Sequence, residues 1–171
     1  MPALRRALSP DDLQQLAQAQ RANDQPRVLC IALEKVSAEV IGHRLFTVMR
    51  YESAHDEVER IFSNMPQVYP TGGRKQKKAT AWSDRVLRDM QVFRGTNAAD
   101  IRSAFDDHET ILRLGLGSVL NVPVVDAGRC LGTMNLLHEE GWYGAADERV
   151  GVSLAAFLIP VLRDPIDETD G

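Results

Sequence analysis

A chain of 171 residues fits a single domain and is long enough to bury a full hydrophobic core. Hydrophobic residues at 44% and charged residues at 26% are ordinary for a globular protein, while a formal net charge of −4 argues against the broad basic surface of a general nucleic-acid binder. Two cysteines, Cys30 and Cys130, exclude a disulfide framework and fit a reducing, cytoplasmic compartment. No long apolar stretch follows Arg5 and Arg6, so no secretory leader is expected. The longest apolar-rich run, Val150 to Leu162, is too short to span a bilayer and contains Ser153 and Pro160, so no membrane association is expected.

The chain opens with a short helix over Ser9 to Ala22. Ser9 suits the N-cap, Pro10 the first helical position, and Leu13, Leu16 and Ala17 share a face. Asn23 to Pro26 breaks it. A second helix runs from about Pro26 to Val40 on a stripe of Val28, Leu29, Ala32 and Val36, and Gly42 ends it. His43 to Tyr51 reads as a strand, with Glu57 to Asn64 as its hairpin partner. Met65 to Thr80 is expected to be a long loop, because it holds Pro66, Pro70, Gly72 and Gly73 and then the basic cluster Arg74, Lys75, Lys77 and Lys78.

Trp82, Val86 and Met90 then recur at helical spacing. Asn97 to Phe105 and Asp107 to Leu114 look like two short helices, the second closed by Gly115. Ser118 to Val125 and Leu131 to His138 are the clearest strands, joined by Asp126-Ala127-Gly128-Arg129. A last helix is expected over about Ala146 to Arg163, apolar around most of its circumference. The acidic tail from Asp164 is expected to be disordered. Hairpin-linked strands imply an α/β (α+β) fold with a central antiparallel sheet. Its N- and C-terminal helices would pack on one face, and the middle insertions would cover the other.

Gly115-Leu-Gly-Ser-Val-Leu-Asn-Val-Pro-Val124, a short turn, and Leu131-Gly-Thr-Met-Asn-Leu-Leu-His138 resemble the closing hairpin of GAF domains. The flanking element order agrees over roughly Gln25 to Arg163, which implies a GAF/PAS-like domain over residues 25–163, preceded by an N-terminal helix in 1–24 and followed by a tail in 164–171. The resemblance implies a ligand pocket in front of the sheet and a small-molecule sensory role, often as a dimer. No cysteine matches the chromophore attachment site of the family's photoreceptors. The cysteine pair of its free methionine sulfoxide reductases and the Asn-Lys-Phe-Asp-Glu set of its cyclic-nucleotide binders are not evident either.

Candidate chemistry concentrates in a few places. Gly72-Gly73-Arg74-Lys75 lacks P-loop spacing and reads either as a solvated basic loop or as an anion-binding lid. In the second reading the planar Arg74 fork would grip a carboxylate or phosphate, with Tyr69 and Lys75 beside it. Asp106-Asp107-His108-Glu109 could cap a helix, contact a pocket, or serve metal or acid–base chemistry. Adjacent helical side chains diverge, which disfavours the last use. His43 is expected at the surface and His138 in a strand-end contact. Trp82 and Trp142 read as core or pocket wall.

Asn121 and Asn135 each interrupt an apolar strand, where a buried amide is costly unless hydrogen-bonded. A three-residue connection, Ala127 to Arg129, would pair Asp126 with Cys130 and Val125 with Leu131, and would set Asn121 opposite Asn135. Val119, Pro123, Thr133 and Leu137 would share their face, and Leu120, Val122, Met134 and Leu136 the other.

The candidate ligand-binding set is Tyr69, Arg74, Lys75, Trp82, Asp107, His108, Asn121 and Asn135, with no catalytic residue, metal or cofactor implied. A ligand-binding sensory domain is the leading reading, acting as a homodimer through its apolar last helix or through a separate signalling partner. A small metal-independent enzyme built on His108 and Asp107, and a ligand-free dimerisation scaffold, are the alternatives.

Overall fold

A computed structural model describes residues 5–163; the expected disordered tail from Asp164 lies outside them. At its centre is a six-stranded antiparallel sheet. The strands are β1 (Leu45–Glu52), β2 (Glu57–Ser63), β3 (Gly72–Gln76), β4 (Phe93–Gly95), β5 (Ser118–Asp126) and β6 (Arg129–His138), in the spatial order β3-β2-β1-β6-β5-β4.

Alternation along the strands separates two faces. Phe46, Val48, Leu120, Val122, Met134 and Leu136 point one way and form the main core with the terminal helices. These are α1 (Pro10–Gln20), α2 (Arg27–Val40), α6 (Ala145–Ala155) and α7 (Ile159–Leu162). The opposite face is covered by the middle of the chain. There Leu45, Val119 and Leu137 meet α4 (Ala98–Ala104) and α5 (His108–Arg113) through Ile101 and Ile111. Val58 and Cys130 meet Trp82, Val86 and Leu87, which lie on α3 (Ala81–Ser83) and the wide π-helical turn Asp84–Arg88 that continues it. The expected architecture, helices of both ends on one face and insertions on the other, is the one found.

Several local expectations need correction. In α1, Ser9 caps the helix as expected, and Asp12 closes a capping box with it, beyond that expectation. The buried stripe, however, is Asp12, Leu16 and Ala19, and Leu13 and Ala17 face solvent. Asp12 tolerates burial because Arg6 grips both its carboxylate oxygens, at 2.6 and 2.7 Å. The final helix is not continuous. A 3-10 turn, Ala156–Leu158, separates α6 from α7, where Pro160 has no N–H for a helical bond to Ala156. The expected loop over Met65–Thr80 contains edge strand β3, and β4 is an additional short strand against β5.

The β5–β6 hairpin turns through two residues, not three. Ala127 (φ 50°) and Gly128 (φ 77°) form a tight turn that pairs Asp126 with Arg129 and Val125 with Cys130. A bulge then leaves Leu131 unpaired, so that Val124 faces Gly132 and Asn121 faces Asn135. The expected register near the turn is wrong by one. The bulge restores it before the asparagines.

His43 is a further correction: its side chain is 2% exposed, lying against Phe46. Nε2 meets the Glu34 carbonyl at 3.0 Å and so carries the proton, while Nδ1 is buried without a partner among the described residues. Burial therefore holds the imidazole below its usual pKa, against the opposing pull of the Glu34 carbonyl and carboxylate. A histidine depressed in the folded state binds its proton more readily when unfolded. Its contribution to stability is complete above the unfolded value of about 6.5 and declines as pH falls below it. Urea midpoints are expected to drop between pH 7 and pH 5, with a slope of up to about 1.4 kcal/mol per pH unit. His43→Gln, which keeps a donor for Glu34, should flatten that slope. An unchanged slope would mean that other groups set it.

Candidate functional site

The covered face carries two apolar clusters with a polar row between them. Register places Asn121 between Phe93 and Asn135, and Asn135 between Asn121 and Thr47. The side chains connect in a row. The Trp82 indole N–H donates to Asn121 Oδ1 (3.0 Å), Asn121 Nδ2 donates to Asn135 Oδ1 (2.8 Å), and Asn135 Nδ2 donates to Thr47 Oγ1 (3.2 Å). All four residues are at most 5% exposed. Thr133 stands next to the row, facing Met49 and Pro123, and its buried hydroxyl has no partner among the described residues. Buried amides and hydroxyls interrupting the apolar strands β1, β5 and β6 would destabilise a plain core unless satisfied, and here most of them satisfy one another.

Around this row stand charged groups. Tyr69 is buried and its hydroxyl donates to Asp107 Oδ2 at 2.9 Å. Burial, then the Asp107 charge, pushes the phenol well above its ordinary pKa. The Arg60 guanidinium lies 5.0 Å from the centre of the Tyr69 ring, and the Lys77 ammonium 4.6 Å from the centre of the Trp82 ring. Burial lowers the pKa of both cations.

Of the residues singled out from the sequence, Trp82, Asn121 and Asn135 are joined by hydrogen bonds on this face, while Tyr69 and Asp107 form a separate pair, with Tyr69 packed in the cluster of Leu45, Val119 and Leu137. Lys75 is opposite Val58 on β3 and exposed. His108 begins α5, half-buried, and makes no hydrogen bond or ion pair with the described residues. Asp107, not Asp106, takes the N-cap position of α5, but its side chain makes no capping bond. Its carboxylate goes to Tyr69 instead, so the capping arrangement read from Asp106 and Glu109 does not form.

Arg74 is elsewhere. It pairs across β2 with Glu59, out of phase with Val58 and Arg60. It lies within 3.7–3.9 Å of Glu52, Glu57 and Glu59. Those three carboxylates, with Arg50, line a shallow groove at the sheet edge. Alternation along β2 and β3 thus turns Arg74 away from the asparagine row.

Thr47, Arg60, Lys77 and Thr133 complete the face and are absent from the sequence-derived set. Thr47 has a signal: like the two asparagines, it is a lone polar residue inside an apolar strand, Leu45-Phe46-Thr47-Val48-Met49. Both cysteine thiols are buried, and burial pushes Cys30 up to about 12 and Cys130 upward as well, which makes both poor nucleophiles. Among the described residues no group of three or more His, Cys, Asp or Glu side chains could hold a metal ion, and no helix is long and apolar enough to cross a membrane.

No family model and no curated protein matches the sequence. Solved structures do match in shape. The GAF domain of an Acinetobacter phosphoenolpyruvate-protein phosphotransferase superposes with a TM-score of 0.69 at 16% identity, over 89% of this chain and 90% of that one. The chain has the GAF domain fold. The GAF domain of a two-component sensor histidine kinase from Bacillus halodurans follows at TM-score 0.58 and 12% identity, over 91% and 94%. Free methionine-R-sulfoxide reductase from Neisseria meningitidis, solved in complex with its substrate, gives 0.57 at 16%, over 95% and 96%. Such distant likeness establishes the fold and leaves the chemistry to this chain's own side chains. The GAF face covered by insertions is the one that carries the asparagine row.

Proposed function

We propose that this GAF domain binds a small molecule on its covered sheet face and reports occupancy as a homodimer or through a separate signalling partner. The observation that carries the reading is the Trp82–Asn121–Asn135–Thr47 row, with the Thr133 hydroxyl beside it unpartnered among the described residues. Amides that bond one another can fix strand register by themselves, so the group left to meet a ligand is the Thr133 hydroxyl, which has no partner among the described residues. Tyr69, Asp107 and Trp82 belong to the proposed site. Arg74, Lys75 and His108 stand at its margin or outside it. Two of the similar structures support the reading by what they are, a sensor kinase domain and a substrate complex. Leu13, Ile31 and Val152 are more than 40% exposed on the terminal helices and supply apolar surface for a second copy.

Native mass spectrometry of freshly purified protein tests both parts at once. The expected spectrum shows a dimer carrying a small-molecule adduct that dissociates at higher collision energy. A bare monomer that also gains no thermal stability from a metabolite extract would overturn the reading and favour a scaffold without a ligand.

A further inference from the structure

Two cations on the covered face have no carboxylate of the described residues within ion-pairing distance. Arg60 stands on β2 opposite Met49, donates from Nη1 to the Pro70 carbonyl at 3.2 Å, and keeps a buried Nε with no partner among the described residues. Lys77 follows β3 directly; its ammonium lies over the Trp82 ring and forms no ion pair with the described residues. Burial disfavours the charge on both, and Lys75 and Arg60 further disfavour that on Lys77. Opposing charge comes from Asp106 and Asp107, both exposed, and Asp107 accepts a hydrogen bond from Tyr69. Two neighbouring, partly desolvated cations without a bonded counter-ion are an arrangement that an anion would stabilise.

We propose that Arg60 and Lys77 form an anion subsite at the edge of the covered face, taking the carboxylate or phosphate of a small molecule whose body lies toward Trp82. The proposal rests on the small-molecule reading above and names the chemistry of its ligand. Arg60 supplies a guanidinium whose Nη2 makes no bond with the described residues and can donate to an oxyanion, while its Nε–H lies buried behind it. Lys77, half-buried over the Trp82 ring, supplies a point charge. Arg74 is poorly placed for the same role, because an anion there would meet the carboxylates of Glu52, Glu57 and Glu59.

The contact between Lys77 and Trp82 provides a reporter. The indole N–H cross-peak of Trp82 in the 15N-labelled full chain would be assigned by its loss in Trp82→Phe, or as the peak that survives in Trp142→Phe. It is then followed while sodium phosphate, and separately sodium succinate, is added at constant ionic strength. Saturable movement of this peak is expected, with half-saturation raised at least tenfold by Arg60→Gln and by Lys77→Gln and less than twofold by Arg74→Gln. Saturation by phosphate alone or by succinate alone assigns the anion to that class. If Arg60→Gln fails to fold, Lys77→Gln carries the comparison. Absence of saturation with either salt, or equal saturation in the Arg60 and Lys77 variants, overturns the subsite. A neutral metabolite found bound by mass spectrometry alongside that negative result would remove the anion subsite and leave the small-molecule reading standing.

Discussion

Gly132→Ala is expected to destabilise the protein by about 3 kcal/mol or more, roughly a hundredfold in the folded-to-unfolded ratio. Gly132 lies on β6 between Arg50 and Val124, immediately after the unpaired Leu131. A Cβ there would come within 2.0 Å of the Met49 carbonyl oxygen and 3.0 Å of Leu162 Cδ1. The oxygen belongs to the neighbouring strand and cannot swing aside as a side chain would, so β1 and β6 must separate or the bulge must move. Either change disturbs the register that brings Thr47 beside Asn135. Gly128 provides the comparison. It also disfavours a side chain, because its φ is 77°, but a Cβ there meets open space. Its replacement by alanine should cost about 1–2 kcal/mol. Urea midpoints at constant slope measure both. Equal losses at the two positions would show that the close approach of β1 and β6 is relieved cheaply.

The elements that can be read from the sequence are those whose stability is local or whose burial is one-sided. Ser9 and Pro10 announce α1 because the cap is made within four residues. Ser118 to Val125 and Leu131 to His138 announce themselves by β-branched and apolar content, and the turn between them by Ala127-Gly128. What escapes depends on distant partners. Gly72–Gln76 has no apolar side chain and is exposed throughout, and it becomes β3 because β2 offers it a free edge. Phe93–Gly95 is strand only against β5. Arg74 stands out in the sequence for its glycine-rich setting, but the pairing of β2 with β3 decides which way it points, and that pairing puts Arg60 and Lys77 on the covered side instead. The position of Asn121 opposite Asn135 follows from a three-residue turn in a regular hairpin; a two-residue turn and a bulge at Leu131 arrive at the same pairing. A bulge has no signature in this sequence.

The asparagine row yields the sharpest separation between structure and binding. Asn135→Ala removes the acceptor of Asn121 Nδ2 and the donor to Thr47 Oγ1, both buried. Two stranded polar groups and a small void should cost roughly 2–4 kcal/mol. Removing every partner together is a different experiment. Thr47→Val, Asn121→Leu, Asn135→Leu and Trp82→Phe in one chain leave no unsatisfied member of the row, since the indole N–H that Asn121 accepts is gone as well. Such an apolar replacement is expected to be more stable than the single Asn135→Ala variant, because an unmade buried hydrogen bond costs more than an absent one. If the row existed to fix strand register, the four-fold variant would also keep whatever small molecule the natural chain retains. With the row as the floor of a binding site, it folds and comes through purification empty. A loss below about 1 kcal/mol for Asn135→Ala would show that water reaches these amides freely. Retention of the adduct by the four-fold variant would move the ligand to another part of the surface.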